Sequence, residues 1–80
     1  MKAMIFFYNE SGDEIGSERV ELPDEREKAV EKARGLLKVH INSNRSIRHG
    51  LVELYSWEYR RVLITSMTQG NIGNEDGTLN

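Results

Sequence analysis

Met4-Ile5-Phe6-Phe7-Tyr8 is apolar on both of its alternating sets, the pattern of a strand flanked and covered on both sides. It is expected to be a central strand. Asn9-Glu10-Ser11-Gly12-Asp13 is turn chemistry, and in the following run, Glu14 to Leu22, Val20 and Leu22 point one way while Arg19 and Glu21 point the other. The two runs read as a hairpin. Pro23-Asp24-Glu25-Arg26-Glu27 reads as a helix start, with Asp24 capping the Glu27 N–H and the Glu27 side chain reaching back. From there Ala29, Val30, Ala33, Leu36, Leu37 and Ile41 recur at helical spacing and form one apolar stripe for packing on the sheet. Arg34 and Lys38 lie toward the helix end, matching its dipole. Gly35 costs a helix interior about 1 kcal/mol relative to Ala, so a close strand approach or a local bend is expected there.

Residues 42–50 are rich in Asn, Ser and Arg without a sustained period, and they read as a surface connection. Two more strands are expected at about 51–56 and 61–66, joined by Trp57-Glu58-Tyr59-Arg60. The stretch 67–80 is polar and rich in Gly and Asn, too poor in apolar groups to offset its ordering entropy, and is expected to be a flexible tail. The pattern predicts a single α+β domain over residues 1–66. Its four-stranded antiparallel sheet, in the order β-β-α-β-β, carries one helix packed on one face, with the strand order left open.

Composition narrows the function. The chain has 80 residues, and a domain that small buries only about 60% of its unfolded surface, leaving little room for a catalytic cleft. No cysteine is present, which removes disulfides, thiolate nucleophiles and sulfur-ligated zinc. The net charge of −2 conceals an asymmetry. Residues 1–25 hold two basic against seven acidic side chains, whereas residues 26–66 hold nine basic against four acidic. The apolar run near the N-terminus is shorter than a signal-peptide core, and no segment has the length of a membrane span, so a soluble cytoplasmic protein with no membrane association is expected.

Candidate chemistry is sparse. His40 and His49 are the only imidazoles, and neither sits in a nucleophile motif. Asn9, Ser11, Asp13 and Glu14 lack the terminal bidentate Glu of a calcium loop, and Gly70, Gly73 and Gly77 lack the context of a phosphate cradle. The expectation is a non-enzyme with no metal, cofactor or small-molecule substrate.

The order of elements, together with Phe6-Phe7, Gly12-Asp13, the block Val20-Glu21-Leu22-Pro23-Asp24, Ala29 and Ala33, and Arg60-Arg61-Val62-Leu63, resembles a family of short bacterial proteins. That family is common in alphaproteobacteria and is known only as a domain of unknown function. The resemblance spans residues 4–66 and implies a compact β-β-α-β-β domain; it brings no catalytic residues. Where that family has a polar, glycine-containing turn between its last strands, this chain has Trp57-Glu58-Tyr59.

Large aromatics at a loop tip rest on something, and Trp, Tyr and Arg dominate binding hot spots. Tyr55, Trp57, Tyr59, Arg60 and Arg61 are therefore the candidate protein-binding cluster, with the acidic hairpin around Glu14 and Glu18 as a second surface for a basic partner. Alternation sends Val52 and Leu54 to one sheet face and Tyr55 and Trp57 to the other, and a single helix covers only one of them. The leading expectation is a small binding protein acting through protein–protein contact, in concrete form an inhibitor or regulator of a nucleic-acid-handling complex. An anti-CRISPR-like or other mobile-element protein fits the size and charge. One alternative is an antitoxin-like regulator that binds RNA or DNA through Lys38, Arg45, Arg48, His49, Arg60 and Arg61, provided the basic loop and the last turn share one end of the domain. Another is a structural homodimer through the helix-free face.

Overall fold

The computed structural model describes residues 1–55 and 61–70, the side chains of Tyr55 and Arg61 excepted. Its elements are β1 (Lys2–Tyr8), β2 (Glu14–Glu21), α1 (Arg26–Ser43), β3 (His49–Tyr55) and β4 (Arg61–Thr68). One antiparallel sheet of four strands runs in the order β2-β1-β3-β4, with the helix on one face, as the hydrophobic pattern predicts. The apolar run of β1 takes a central place between β2 and β3. Because β2 and β3 both pair antiparallel to β1, they run parallel to each other, and α1 makes the long crossover that such a pair requires.

The β1–β2 hairpin is closed by local polar chemistry. Asn9 Oδ1 accepts from the Asp13 N–H at 2.9 Å, the Gly12 N–H donates to the Asn9 carbonyl at 3.0 Å, and Gly12 takes φ +85°, a conformation that disfavours any side chain. A register shift beside Phe7 and Tyr8 leaves Ile15 as the extra residue on β2.

Ala3, Ile5 and Phe7 of β1 point toward the helix, where they meet Leu22, Val52, Ile64 and Met67 and the buried helix residues Ala29, Ala33, Leu37 and Ile41. Val30 and Leu36 complete the expected stripe from partly buried positions. Two clamps hold the ends of this layer. Arg34 Nη1 donates to the buried Thr65 hydroxyl at 3.1 Å, tying the helix to β4. At β2, His40 Nε2 lies 3.2 Å from Glu18 Oε2, and its ring centroid sits 4.8 Å from that of Phe7.

The helix boundaries differ from the sequence expectation. The helix starts at Arg26 rather than at Asp24, and Glu25 occupies the N-cap without a side-chain cap. Asp24 is engaged elsewhere: its Oδ1 and Glu21 Oε2 each accept from the Met1 ammonium at 3.1 Å, while the Leu22 carbonyl accepts from it at 2.6 Å. The hydrogen bonds to Asp24 and Glu21 hold that ammonium's pKa above its ordinary value. The last turn carries His40 as its basic residue.

Strand β4 continues to Thr68, past the expected end at residue 66, and Met67 is buried. The cause is a bulge. Glu53 pairs with Leu63 and Val52 with Thr65, so Ile64 is the inserted residue, and the shift turns Thr65 and Met67 toward the helix. Gln69 then clasps the 44–48 loop: its N–H donates to the Arg48 carbonyl at 2.7 Å, and its Nε2 donates to the carbonyls of Ile47 and Arg45 at 3.1 and 3.2 Å. The remainder of the expected tail, 71–80, lies outside the described residues, as does the expected turn at 57–60.

Gly35 does not mark a close approach; it is exposed, and a Cβ built there meets nothing within 4 Å. Gly50 of β3 does. A Cβ there falls 2.6 Å from Leu37 Cδ2, and Leu37 is fully buried, with little room to withdraw. Gly50→Ala is expected to destabilise the fold by about 1–3 kcal/mol through overpacking, whereas Gly35→Ala is expected to stabilise it by up to about 1 kcal/mol through helix propensity. Urea unfolding of the two variants checks the pair, and equal effects would remove the asymmetry argued from the helix–strand contact.

Candidate interaction face of the sheet

Alternation along the strands places Met4, Phe6 and Tyr8 of β1 and His49, Leu51 and Glu53 of β3 on the face opposite the helix. The register sets Phe6 beside Leu51 and Met4 beside Glu53, with Leu63 of β4 beyond Glu53. Met4, Phe6 and Leu51 are half-buried, and Leu63 is 52% exposed. Together they form an apolar centre across β1, β3 and the edge strand β4. The charged positions around it have both signs: Arg19 of β2 is the register partner of Met4, and Glu21 is that of Lys2. A cleft of about 590 Å³ at this end of β1 and β2 is lined by Lys2, Ala3, Met4, Arg19, Val20 and Glu21. At the other end of the face the rings of Tyr8 and His49 lie 6.3 Å apart, and His49 Nδ1 is 2.8 Å from the Thr68 hydroxyl.

Of the cluster expected from the sequence, Trp57, Tyr59 and Arg60 lie outside the described residues. Tyr55 and Arg61 are placed by their backbones alone, paired with each other at the ends of β3 and β4. The acidic residues divide: Glu14 is exposed beside the hairpin turn, while Glu18 faces His40 on the helix side.

The basic residues also divide. Arg48 and His49 stand at the start of β3, where the Arg48 N–H donates to the Tyr8 carbonyl at 2.8 Å, and Arg61 pairs with the far end of that strand. Six residues of strand separate the two ends by about 20 Å. The single basic end that the nucleic-acid alternative requires is not formed by Arg45, Arg48 and Arg61. Arg45 and Arg48 instead share a concavity with Asn9, Glu10 and Ser11, so the acidic turn lies beside the basic loop. Lys38 lies on the helix, whose packing is on the opposite side of the sheet.

Among the described residues no group of three His, Asp or Glu side chains is arranged to hold a metal ion, and no helix is long and apolar enough to cross a membrane. No protein-family model, curated protein or solved structure matches the chain. The resemblance to short bacterial proteins therefore carries no part of the reading that follows.

Met4, Phe6 and Leu51 lie outside the 55–61 cluster expected from the sequence. Their signal was available in the alternation of β1, where the even-numbered residues are as apolar as the odd-numbered ones. The two faces are expected to respond differently to truncation: Ile5→Ala, in the core, costs about 2–5 kcal/mol, and Leu63→Ala costs less than about 1 kcal/mol. Thermal or denaturant unfolding measures both, and a Leu63→Ala loss as large as that of Ile5→Ala would place Leu63 in the core rather than on an accessible face.

Proposed function

We propose that the protein is a non-enzymatic binding module that acts through protein–protein contact, with the helix-free face of the sheet as its docking surface. The observation that carries this reading is the apolar centre of Met4, Phe6, Leu51 and Leu63 on a face that receives no helix among the described residues. Apolar side chains gathered on one solvent-side face, ringed by charge, are the usual anatomy of a protein interface. The mixed signs of Lys2, Arg19, Glu21 and Glu53 suit a protein partner better than a polyanion, whose attraction depends on an excess of basic groups. Tyr55, Trp57, Tyr59, Arg60 and Arg61 run from the end of β3 to the start of β4 in sequence and supply the residue types that anchor interfaces.

The concrete form proposed is an inhibitor or regulator of a nucleic-acid-handling complex. Glu10, Asp13 and Glu14 are exposed together at the hairpin turn and present negative charge to the basic surface such a complex uses for its own substrate.

Leu51→Lys and Trp57→Ala are the test variants, compared with wild type by quantitative cross-linking and affinity capture. Each is expected to lower recovery of a specific partner at least tenfold while the circular dichroism spectrum is retained. Equal recovery by all three proteins would remove this face as the docking surface. A salt-sensitive gel shift of single-stranded RNA or DNA by the wild type, abolished in Arg60→Glu/Arg61→Glu, would replace the reading with nucleic-acid binding.

A further inference from the structure

The sheet has two edges of opposite character. The edge strand β2 carries Glu14, Glu18, Arg19 and Glu21, with Gly16 and a bulge at Ile15, the devices that keep an edge from pairing with another chain. Strand β4 is the other edge, and among the described residues its only ladder partner is β3. From Val62 to Thr68 it has no charged residue, proline or glycine, and it is rich in the β-branched types that favour strands. Val62 and Leu63 are exposed by 41% and 52% on opposite faces. The bulge at Ile64 adds twist but leaves Thr65–Thr68 in register with β3.

From this edge we infer that the protein forms a homodimer by antiparallel pairing of β4 with β4 of a second copy, joining two sheets into one of eight strands. An antiparallel strand pair is self-complementary about a two-fold axis, so the same segment supplies both sides. Self-pairing of β4 sets no charge against charge, whereas self-pairing of β2 would align its acidic residues. The occupant that fits an uncharged, strand-favouring edge able to pair with itself is a second copy. The inference does not depend on the proposed function, since edge pairing leaves the helix-free face open.

Sedimentation of the wild type is expected to show a monomer–dimer equilibrium, which Val62→Lys weakens at least tenfold and both Ser17→Lys on the β2 edge and Leu51→Lys on the open face leave unchanged. Circular dichroism confirms that each variant is folded. The chain has no cysteine, so single spin labels at Ser66→Cys and Ser17→Cys report geometry directly. Edge pairing places the Ser66 labels within about 25 Å and the Ser17 labels about 34 Å apart, whereas stacked faces bring the Ser17 labels within about 25 Å. A wild type that stays monomeric at millimolar concentration, a Val62→Lys dimer of unchanged affinity, or Ser17 labels within about 25 Å would each overturn the inference.

Discussion

The distance between the helix and the sheet is set at Gly50. With no side chain there, Leu37 can descend onto β3 and bring Ala29, Ala33 and Ile41 into the same layer. Alanines at two of the four buried helix positions allow the helix to lie close along much of its length. That closeness compensates for the scarcity of large core residues in a chain of 80. Arg34 on Thr65 and His40 near Glu18 then fix the helix against β4 and β2, so the layer is tied at both edges of the sheet.

Among the described residues the helix covers one face, and the other carries side chains alone. Met4, Phe6 and Leu51 partly cover the strands there, which accounts for a β1 that is apolar at every position from Ala3 to Tyr8. Folding also redistributes charge. The acidic first quarter and the basic second half oppose each other in sequence, yet the acidic turn lies beside the basic loop. The charge asymmetry of the sequence is thereby smaller in space at this end of the fold than it is along the chain.

The elements of the fold were legible because each has a strong local period: the doubly apolar β1, the hairpin turn with Gly12, and the helix stripe ending at Ile41. The α+β sheet with one helix follows from them. What escaped prediction depended on distant partners. Asp24 has the chemistry of a helix cap but is engaged by the Met1 ammonium. Gly35 and Gly50 are indistinguishable without the helix–strand contact. Met67 and Gln69 look like the start of a polar tail until the bulge at Ile64 turns one inward and the 44–48 loop gives the other its carbonyl acceptors. The candidate face was legible only in part, since alternation shows that a second face exists while cross-strand register decides which residues meet on it.

The central position of β1 has a consequence for the chain as it is made. Its neighbour β2 follows immediately, but its other neighbour, β3, is complete only at Tyr55, after the whole helix. At ordinary ribosomal speeds the interval is about 2–10 s. Until α1 is made, the hairpin holds Ile5 and Phe7 with the charged strand β2 as the only neighbour of β1, and until β3 is made the other edge of β1 stays unpaired. The carboxylates of β2 thus flank an apolar strand during synthesis, before they serve as the edge of the finished sheet.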